Sequence, residues 1–349
     1  MILLNPGPVN VSDRVRKAAA MQPICHREPE YFDLQDDVRA RLLRLFKLGR
    51  DFSAVLIAGS GTSAVETMIL GAVPKAGRLL VVNNGVYGER ILAMAKTAGI
   101  DADDVTFPWG TPADPAAVAA KANGAAAIAV VHHETTTGQL NPIREIAAVA
   151  RKAGARILVD AVSSLAGDPI DVAEYDFVAG TAGKCLQGLP GVSFIFARRA
   201  MLDAPRRSVY LDLAGLSTRQ DARNTPFTPA VPIVNAFREA LRECEKETVS
   251  GRVARMAKTA AFLRAGYETM GLEYWLTHAH RSNTLTTLRL PAGRTYASVH
   301  DALKKKGFVI YAGQGSLEKE SFRIANMGLI PAAAQKRLLR VLAAWVGRS

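Results

Sequence analysis

Short runs of β-branched residues alternate with helical patterns through the middle of the chain, and this alternation limits the possible folds more than any other feature. The runs are SAVLIAG, GRLLVVNN, AAIAVVHH, ARILVDAV, YDFVAGT and GVSFIFARR, between residues 53 and 199. Stretches such as YGERILAMAKTAG and PIREIAAVARKAG separate them, with apolar residues three and four apart. Strands separated by helices form a mostly parallel central sheet flanked by helices. The sequence therefore predicts an α/β domain.

The pattern changes after about residue 228. A long helical stretch, residues 234–271, is followed by SNTLTTLRL, FVIYAG, SFRIAN and a terminal helix, which predicts a smaller C-terminal α+β domain. We expect an N-terminal segment, residues 1–20, that contributes to the active site and the small domain, a large domain at 21–235 and a small domain at 236–349. No internal repeat or low-complexity linker separates them, so we expect the two domains to share a cleft.

Composition excludes a membrane protein and a secreted one. With 49% hydrophobic and 22% charged residues, a chain of 349 residues can bury a large core. The longest apolar runs, such as AAAIAVV, are too short to span a bilayer. The N-terminal MILLNPGPVNVSD has two prolines before any signal-peptide core could form. We expect a cytoplasmic protein with no membrane partner.

The charged residues and the cysteines argue against nucleic acid and metal. The net charge is +12, but the basic residues are spread along the chain and do not interleave with aromatic ones. This favours anionic small molecules and predicts no nucleic-acid partner. Cys25, Cys185 and Cys244 are too few for a disulfide framework, and no pair has metal-ligand spacing. No metal site is predicted.

Two of the predicted strands end in turns that could hold a ring and a phosphate. GSGTSAVE, residues 59–66, combines close backbone approach at its glycines with the free N–H groups of a helix N-terminus, which suit an anion. An ordinary glycine-containing turn explains this stretch equally well when it is taken alone. GVYGER places Tyr87 after the next strand, as a stacking platform or as a packing residue.

The stretch VVHHETTTGQLNP ends another strand with more hydrogen-bonding groups than a core needs. His132 and His133 are adjacent in a strand, so they point to opposite faces and form a poor chelating pair. We interpret both as structural histidines with satisfied hydrogen bonds. The density of polar groups indicates that something polar is held at this point.

Asp160 and Lys184 follow two further strands and form the strongest pair of candidates. A carboxylate at the end of RILV is costly to bury and needs a cationic partner, which could be an arginine. A desolvated, glycine-flanked lysine becomes a usable nucleophile toward a carbonyl, which suits a Schiff base. Together with the phosphate turn, the aromatic platform and the hydroxyls, this ordered set matches what pyridoxal phosphate requires.

The same motifs resemble a known family over nearly the whole chain. GSGTSAVE, NGVYGER, HHETTTGQLNPI, VDAVSSLAGDPIDV, GKCLQGLPG, FVIYAG and FRIANMG are similar to those of the class V aminotransferases of fold type I. Within that class they most resemble the 2-aminoethylphosphonate–pyruvate transaminases. The resemblance implies a homodimer with shared active sites, pyridoxal phosphate as cofactor, and ping-pong transfer of an amino group from 2-aminoethylphosphonate to pyruvate.

The resemblance also assigns roles to individual residues. Lys184 would form the Schiff base and act as acid and base, and Asp160 would pair with the pyridine nitrogen. The other cofactor contacts would be Tyr87 on the ring, Thr135 at its hydroxyl, Ser60, Gly61 and Thr62 at the phosphate, Thr181 beside the lysine and Thr228 from across the dimer interface. Arg323 would hold the carboxylate or phosphonate, with Gly7 and Arg27 also at the substrate.

Two departures leave the amino donor open. Gly183 precedes the lysine where asparagine is expected, and ICHREPEYF, which contains Arg27, resembles the alanine or serine–glyoxylate transaminases. The alternative is therefore an α-amino acid donor with glyoxylate. A desulfurase or lyase of this fold would need a cysteine in a mobile loop, and none of the three fits. A binding protein without catalysis would not need Lys184 and Asp160 together.

Overall fold

A computed structural model describes residues 1–276 and 278–347. Its strands are β1 (Ile2–Leu3), β2 (Phe52–Gly59), β3 (Arg78–Asn83), β4 (Ala102–Thr106), β5 (Ala125–Val131), β6 (His133–Glu134), β7 (Gln139–Leu140), β8 (Arg156–Asp160), β9 (Phe177–Thr181), β10 (Gly191–Arg198), β11 (Leu285–Arg289), β12 (Phe308–Val309), β13 (Tyr311–Ala312) and β14 (Ser321–Ala325). Its helices are α1 (Asp13–Ala18), α2 (Pro29–Leu45), α3 (Gly61–Ala72), α4 (Val86–Thr97), α5 (Pro115–Lys121), α6 (Ile143–Ala153), α7 (Leu213–Asp221), α8 (Val231–Glu247), α9 (Val249–Thr269), α10 (Tyr296–Lys304) and α11 (Ala332–Val346).

A seven-stranded sheet in the order β2-β10-β9-β8-β5-β3-β4 contains all six predicted strands of the large part. The sheet is parallel except for β10, which runs antiparallel to both of its neighbours. Only residues 182–190 separate β9 from β10, too few for the helical crossover that a parallel pair requires. The additional strand β4, whose sequence is ADDVT, lies at the edge of the sheet, where its charged residues remain accessible to water.

Helices cover both faces of the large sheet because the strands carry apolar side chains on both faces. In β5, Ile128 and Val130 pack in a core cluster with α2, α6 and α8. Ala127, Ala129 and Val131 pack in a second cluster with α3, α4 and α7. Residues 133 and 135, which continue this alternation beyond the strand end, line a cavity on the α3 and α4 side.

The C-terminal part forms the predicted α+β unit. The strands β11, β14 and β13 make an antiparallel sheet that shares a core with α9, α10 and α11. The predicted helical stretch at 234–271 is two helices, interrupted at Thr248, whose φ is 66°. The Thr248 hydroxyl caps α9 by accepting a hydrogen bond from the Gly251 amide at 3.0 Å.

The N-terminal segment runs between the small sheet and the large domain. β1 pairs with β12, and the Leu4 amide donates to the Val309 carbonyl at 2.7 Å. Two residues later, the Pro6 carbonyl accepts a hydrogen bond from Lys184 Nζ. Helix α8 continues through residue 235 and packs in the core of the large sheet. The domain limits at residues 20 and 235 stay a prediction.

None of the helices formed by the described residues combines the length and the apolar character that a membrane span needs.

Candidate active site

A cavity lies at the carboxyl ends of the parallel strands, which is where open parallel sheets bind ligands. We call it the lysine cavity. Six of the predicted site residues line it: Gly61, Thr62, Tyr87, Thr135, Asp160 and Lys184. Tertiary structure therefore brings together residues that are up to 123 positions apart in the sequence, between Gly61 and Lys184.

Lys184 stands on the turn that follows β9. Its Nζ donates to the Pro6 carbonyl, and its side chain is half-buried in the cavity wall. Burial lowers the pKa of Lys184, and the positive charges of Arg323 and Arg90 act in the same direction, against the charge of Asp160. A lysine in this setting gives up its proton more readily than an exposed one, which a nucleophile or a general base requires.

Asp160 ends β8 and is 6% exposed. Its Oδ1 accepts a hydrogen bond from the Val162 amide at 3.0 Å. Burial raises the pKa of Asp160 to about 6, although this hydrogen bond and the charges of Lys184 and Arg90 oppose the rise. Among the described residues no cation forms an ion pair with this carboxylate, so the arginine partner considered above is not present. The carboxyl is ready to pair with a cationic group of a ligand.

The phosphate turn lies at the start of α3. Ser60 is the N-cap residue, and its side chain makes no capping hydrogen bond, which leaves backbone N–H groups of the first turn available to an anion. A side chain at Gly61 would meet Val162, since a Cβ built there lies 2.5 Å from Val162 Cγ1. Thr62 Oγ1 accepts a hydrogen bond from Arg90 Nη1 at 3.3 Å. These features suit an anion, and phosphate binding by Ser60, Gly61 and Thr62 stays a prediction.

Two residues that the sequence patterns did not indicate contact Tyr87. Glu134 binds its backbone amide, and Arg90 lies against its ring. Glu134 is fully buried, and its Oε2 accepts a hydrogen bond from the Tyr87 amide at 3.1 Å. Gly85 must lack a side chain because a Cβ there would lie 2.4 Å from Glu134 Cδ. The Arg90 guanidinium lies 4.8 Å from the centre of the Tyr87 ring. Tyr87 and Arg90 are three residues apart in a predicted helix, and this spacing could have indicated that both face the cavity.

Arg323 lies on β14 and is 5% exposed. It is not one of the residues that line the lysine cavity, but it is bonded to Thr135, which lines it. Its Nε donates to the Ala312 carbonyl at 2.9 Å, and its Nη1 donates to the Thr135 carbonyl at 2.9 Å and to Gln314 Oε1 at 3.0 Å. Within the part of the chain that the structure describes, Nη2 makes no hydrogen bond to protein. The guanidinium therefore offers Nη2 to an anion, whereas Nη1, the other arm of the expected fork, is already bonded to the protein.

Gly7 and Thr181 do not line the cavity, and of the two only Gly7 lies against the lysine. Gly7 has a φ of 121°, and a Cβ built on it would lie 2.9 Å from Lys184 Nζ. Thr181 Oγ1 donates to the Val192 carbonyl at 3.2 Å and accepts from Ser193 Oγ at 2.9 Å. Any side chain at position 7 would therefore press on the lysine, and the Thr181 hydroxyl is used within the sheet.

Thr228 and Arg27 do not line the lysine cavity. Thr228 lines a separate cavity with Tyr31 and Tyr210, which we call the Thr228 cavity. Arg27 is exposed and donates to Asn224 Oδ1 at 3.2 Å and to the Thr225 carbonyl at 3.0 Å. The structure brings these two predicted residues near each other, but not near Lys184.

The two adjacent histidines differ in their hydrogen bonds. The interpretation that both have satisfied hydrogen bonds was wrong for His133. His132 Nδ1 shares a hydrogen bond of 2.9 Å with Ser164 Oγ. His133 lines the lysine cavity, and its buried Nε2 has no hydrogen-bond partner in the described part of the chain. The alternation of strand side chains separates the two, but it does not show which of them faces a ligand.

Comparisons with known proteins agree with this geometry. Residues 18–329 match the family model described as aminotransferase class-V. The chain is 37% identical to a 2-aminoethylphosphonate–pyruvate transaminase from Syntrophobacter fumaroxidans, covering 97% of this chain and 94% of that one, and 36% identical to one from Aeromonas hydrophila, covering 99% and 96%.

Solved structures show the same fold. An aspartate aminotransferase of subgroup IV from Thermus thermophilus superposes with a TM-score of 0.92 at 27% identity and covers 99% of both chains. An alanine–glyoxylate aminotransferase from Nostoc sp. has a TM-score of 0.91 at 27% identity, covering 99% of this chain and 95% of that one. The mostly parallel sheet with its smaller C-terminal unit is thus the architecture of known aminotransferases.

Proposed function

The chain belongs to the class-V aminotransferase family, and from this premise we propose that it transfers the amino group of 2-aminoethylphosphonate to pyruvate, giving phosphonoacetaldehyde and alanine. The single observation that carries the proposal is the meeting of Lys184, Asp160 and the phosphate turn in one cavity, with Arg323 bonded to Thr135 of its lining. Relatives named 2-aminoethylphosphonate–pyruvate transaminase, which match nearly the whole chain, support this choice of substrates. We also propose that it works in the cytoplasm, as a homodimer with shared active sites.

The residues of the lysine cavity fit pyridoxal phosphate as the cofactor. Asp160 is a buried carboxylate without an ion-pair partner among the described residues, which suits a protonated pyridine nitrogen. The uncapped start of α3 suits the phosphate, Tyr87 suits the ring face, and Lys184 suits the aldehyde. The orphaned Nε2 of His133 indicates that the cavity is built for a polar occupant. Pyridoxal phosphate, when bound, supplies an aldehyde that bonds an amine and a ring that withdraws electrons.

Lys184 is the residue that moves the proton. Its lowered pKa allows a fraction of Nζ to be neutral, so that it can accept the proton from the amine-bearing carbon of the donor. The Pro6 carbonyl accepts a hydrogen bond from this amine, and Gly7 has no side chain that would press on it. Asp160 stays ionised near neutral pH and stabilises positive charge at the far side of the cavity.

Arg323 would hold the anion of both substrates in turn. In a ping-pong cycle the phosphonate of the donor and the carboxylate of the keto acid occupy the site at different times, so one guanidinium serves both. Gln314 and the Thr135 carbonyl hold Nη1 in place, which directs Nη2 to the ligand. A fixed guanidinium loses less side-chain freedom when it binds an anion than a mobile one would.

An alanine or serine donor with glyoxylate is the second candidate. The CHREPE stretch and the likeness to an alanine–glyoxylate aminotransferase at 27% identity favour it. However, Arg27 lies outside the lysine cavity of its own protomer, so it could act on a donor only across a subunit interface. The higher identity to the phosphonate relatives makes the first candidate the better supported one.

Half-reactions with single donors distinguish the two candidates. The enzyme loaded with pyridoxal phosphate is mixed with 2-aminoethylphosphonate, alanine or serine, and the visible absorbance of the bound cofactor is followed in time. We expect faster conversion with 2-aminoethylphosphonate than with either amino acid, and none in Lys184→Ala, which should still fold and bind the cofactor without a covalent bond. Rapid conversion by alanine or serine with none by the phosphonate would replace the first candidate by the second.

A variant of the anion site completes this experiment. Arg323→Lys should slow the phosphonate and the pyruvate half-reactions together, because a lysine cannot hold the Ala312 and Thr135 carbonyls and an anion at the same time. Arg289→Lys, which changes an exposed arginine of β11, serves as the control. An effect on only one half-reaction would mean that donor and acceptor anions are bound by different residues.

A further inference from the structure

We propose that His133 Nε2 accepts a hydrogen bond from whatever occupies the lysine cavity and cannot donate one. A chain of hydrogen bonds that starts at Asp168 holds the ring as its Nδ1–H tautomer. The tautomer follows from contacts within the protein, and only the nature of the group that donates to His133 rests on the proposed function. The proposal makes His133 a residue that positions and selects what binds beside Lys184.

The first support is the position of the imidazole. His133 is 1% exposed and lines the lysine cavity, and its Nε2 has no partner among the described residues. Burial lowers the pKa of His133 to about 3, and the charges of His132, Lys184 and Arg264 act in the same direction, against a hydrogen bond with the Ser163 backbone. The ring is therefore neutral at physiological pH. A neutral imidazole carries a single N–H, and its two nitrogens therefore have opposite hydrogen-bonding roles.

The chain begins at Asp168, which is 1% exposed. Ser282 Oγ donates to Asp168 Oδ2 at 2.6 Å, and the Asn283 amide donates to Oδ1 at 2.7 Å. An ionised carboxylate can only accept hydrogen bonds, so the single hydroxyl proton of Ser282 is used here. Ser282 Oγ must consequently accept in its other contacts, as it does from the Thr284 amide at 3.0 Å.

The donor and acceptor roles of Ser282 fix those of Thr284, and these in turn fix those of His133. Ser282 Oγ and Thr284 Oγ1 are 2.8 Å apart, and because Ser282 has no proton left, Thr284 is the donor. Thr284 Oγ1 then meets His133 Nδ1 at 3.4 Å with its own proton already used. Nδ1 must therefore carry the N–H, and Nε2 must carry the lone pair that faces the cavity.

This assignment has a consequence for what the cavity accepts. A bare Nε2 attracts an O–H or N–H donor and repels the oxygens of a carboxylate or phosphonate. The anionic end of a substrate is thereby kept away from His133, which leaves Arg323 as its site. The donor to Nε2 has two possible sources, the ring hydroxyl of the cofactor and an ordered water molecule, and both supply the same chemistry.

Nitrogen NMR on the full-length protein without cofactor measures the tautomer directly, independently of turnover. The protein is labelled with 15N-histidine, and the His133 resonances are assigned by their loss in His133→Gln. We expect Nδ1 to show the shift of a protonated nitrogen and Nε2 that of an unprotonated one. The opposite pattern would overturn the proposal, whatever the outcome of the half-reactions.

Two variants test whether the hydrogen-bond chain sets this tautomer. Ser282→Ala and Thr284→Val each break the chain, and in both the His133 signals should move toward a mixture of the two tautomers. Ser164→Ala is the matched control because it removes the same kind of hydroxyl from His132 and leaves the chain intact. An unchanged His133 in both chain variants would show that the chain does not set the tautomer.

Added ligands then identify the donor to Nε2. Saturation with pyridoxal phosphate should shift the Nε2 resonance toward that of a hydrogen-bonded acceptor. The same shift with 3-deoxypyridoxal phosphate, which lacks the ring hydroxyl, assigns the donor as water, and its loss assigns the ring hydroxyl. No shift with either ligand would show that Nε2 is not used in binding.

Discussion

At the scale of single residues, the site contains ionisable groups whose burial opposes their charged forms. Asp160 has a raised pKa and Lys184 a lowered one, and in both cases burial is the largest cause. Neither group has the full ion-pair partner that would offset this cost in the described protein. Such sites reduce the stability of the empty protein and gain it back when a ligand of complementary charge binds.

Asp160→Asn tests this cost through its pH dependence. The folded-state pKa of about 6 lies above the ordinary value of 3.8, so the folded protein binds this proton more tightly than the unfolded chain does. The free energy of unfolding is therefore highest at low pH and falls as the pH rises from about 4 to 6. Above that range the ionised carboxylate costs about 3 kcal/mol by linkage. Cofactor-free Asp160→Asn should therefore be more stable than the parent by up to that amount at neutral pH, and equal to it near pH 4, in urea unfolding.

The same variant should lose most of its transaminase activity, because an amide cannot stabilise positive charge at the cavity as the carboxylate does. Glu89→Gln, which changes an exposed carboxyl of α4, is the control and should show no gain in stability. A stability difference that does not depend on pH would mean that packing, rather than ionisation, distinguishes the two proteins.

At the scale of elements, the turn that carries Lys184 depends on a buried arginine from another part of the chain. Arg252 of α9 is 1% exposed, and its Nη1 donates to the carbonyls of Cys185 and Leu186 at 3.3 and 3.0 Å. Its Nε donates to Glu247 Oε2 at 2.8 Å. Helix α9 thus holds the backbone immediately after the lysine, so that its register affects the position of Nζ.

Arg252→Met should destabilise the protein by about 2–4 kcal/mol, because it leaves two buried carbonyls without their donor. Arg255→Met is the matched control: Arg255 also binds Glu247, but its side chain is 35% exposed, and its loss should cost less than about 1 kcal/mol. Urea unfolding of both variants measures the difference. Equal losses would show that the contact with the turn contributes nothing beyond the ion pair.

At the scale of the whole molecule, the separation of Thr228 from the lysine cavity bears on how an active site is assembled. Thr228 and Tyr210 line the Thr228 cavity, and Tyr210 is 42% exposed and close to Val209, which is 69% exposed. Large apolar side chains exposed beside a predicted cofactor residue favour contact with a second subunit there. A proposed dimer would place Thr228 of one subunit at the phosphate turn of the other.

Hybrid dimers test this arrangement. Lys184→Ala removes the reactive amine, and Thr228→Glu places a negative charge where a phosphate of the partner's cofactor would lie, so each homodimer should be inactive. In a hybrid of the two, one site combines an intact Lys184 with an intact Thr228. Random pairing of an equal mixture should therefore restore about a quarter of the wild-type activity. A mixture that stays inactive would show that Thr228 acts within its own subunit, and an active Thr228→Glu homodimer would show that Thr228 does not contribute to the site.

Much of this protein was determined by its sequence alone. The six strands followed from local patterns, and so did the placing of Tyr87 and Asp160 at strand ends, because the carboxyl ends of parallel strands meet at one edge of the sheet. The role of Thr135 was implied by the family resemblance. One of the six strands is the strand after the lysine, whose antiparallel direction depends on the length of the turn before it. The hydrophobic period is a local property that the sequence displays, whereas the order of the strands in the sheet is set by pairing between distant parts of the chain.

Only the tertiary structure decided which polar groups are used and which remain available. His132 and His133 are identical in the sequence pattern, but Ser164 satisfies one, and the chain from Asp168 orients the other toward the cavity. In the same way, the sequence predicts an Arg323 that binds an anion with both arms, whereas in the structure Nη1 donates to the Thr135 carbonyl. The physical reason is that hydrogen-bond partners and desolvation come from residues distant in the chain, and these are set by how the elements pack.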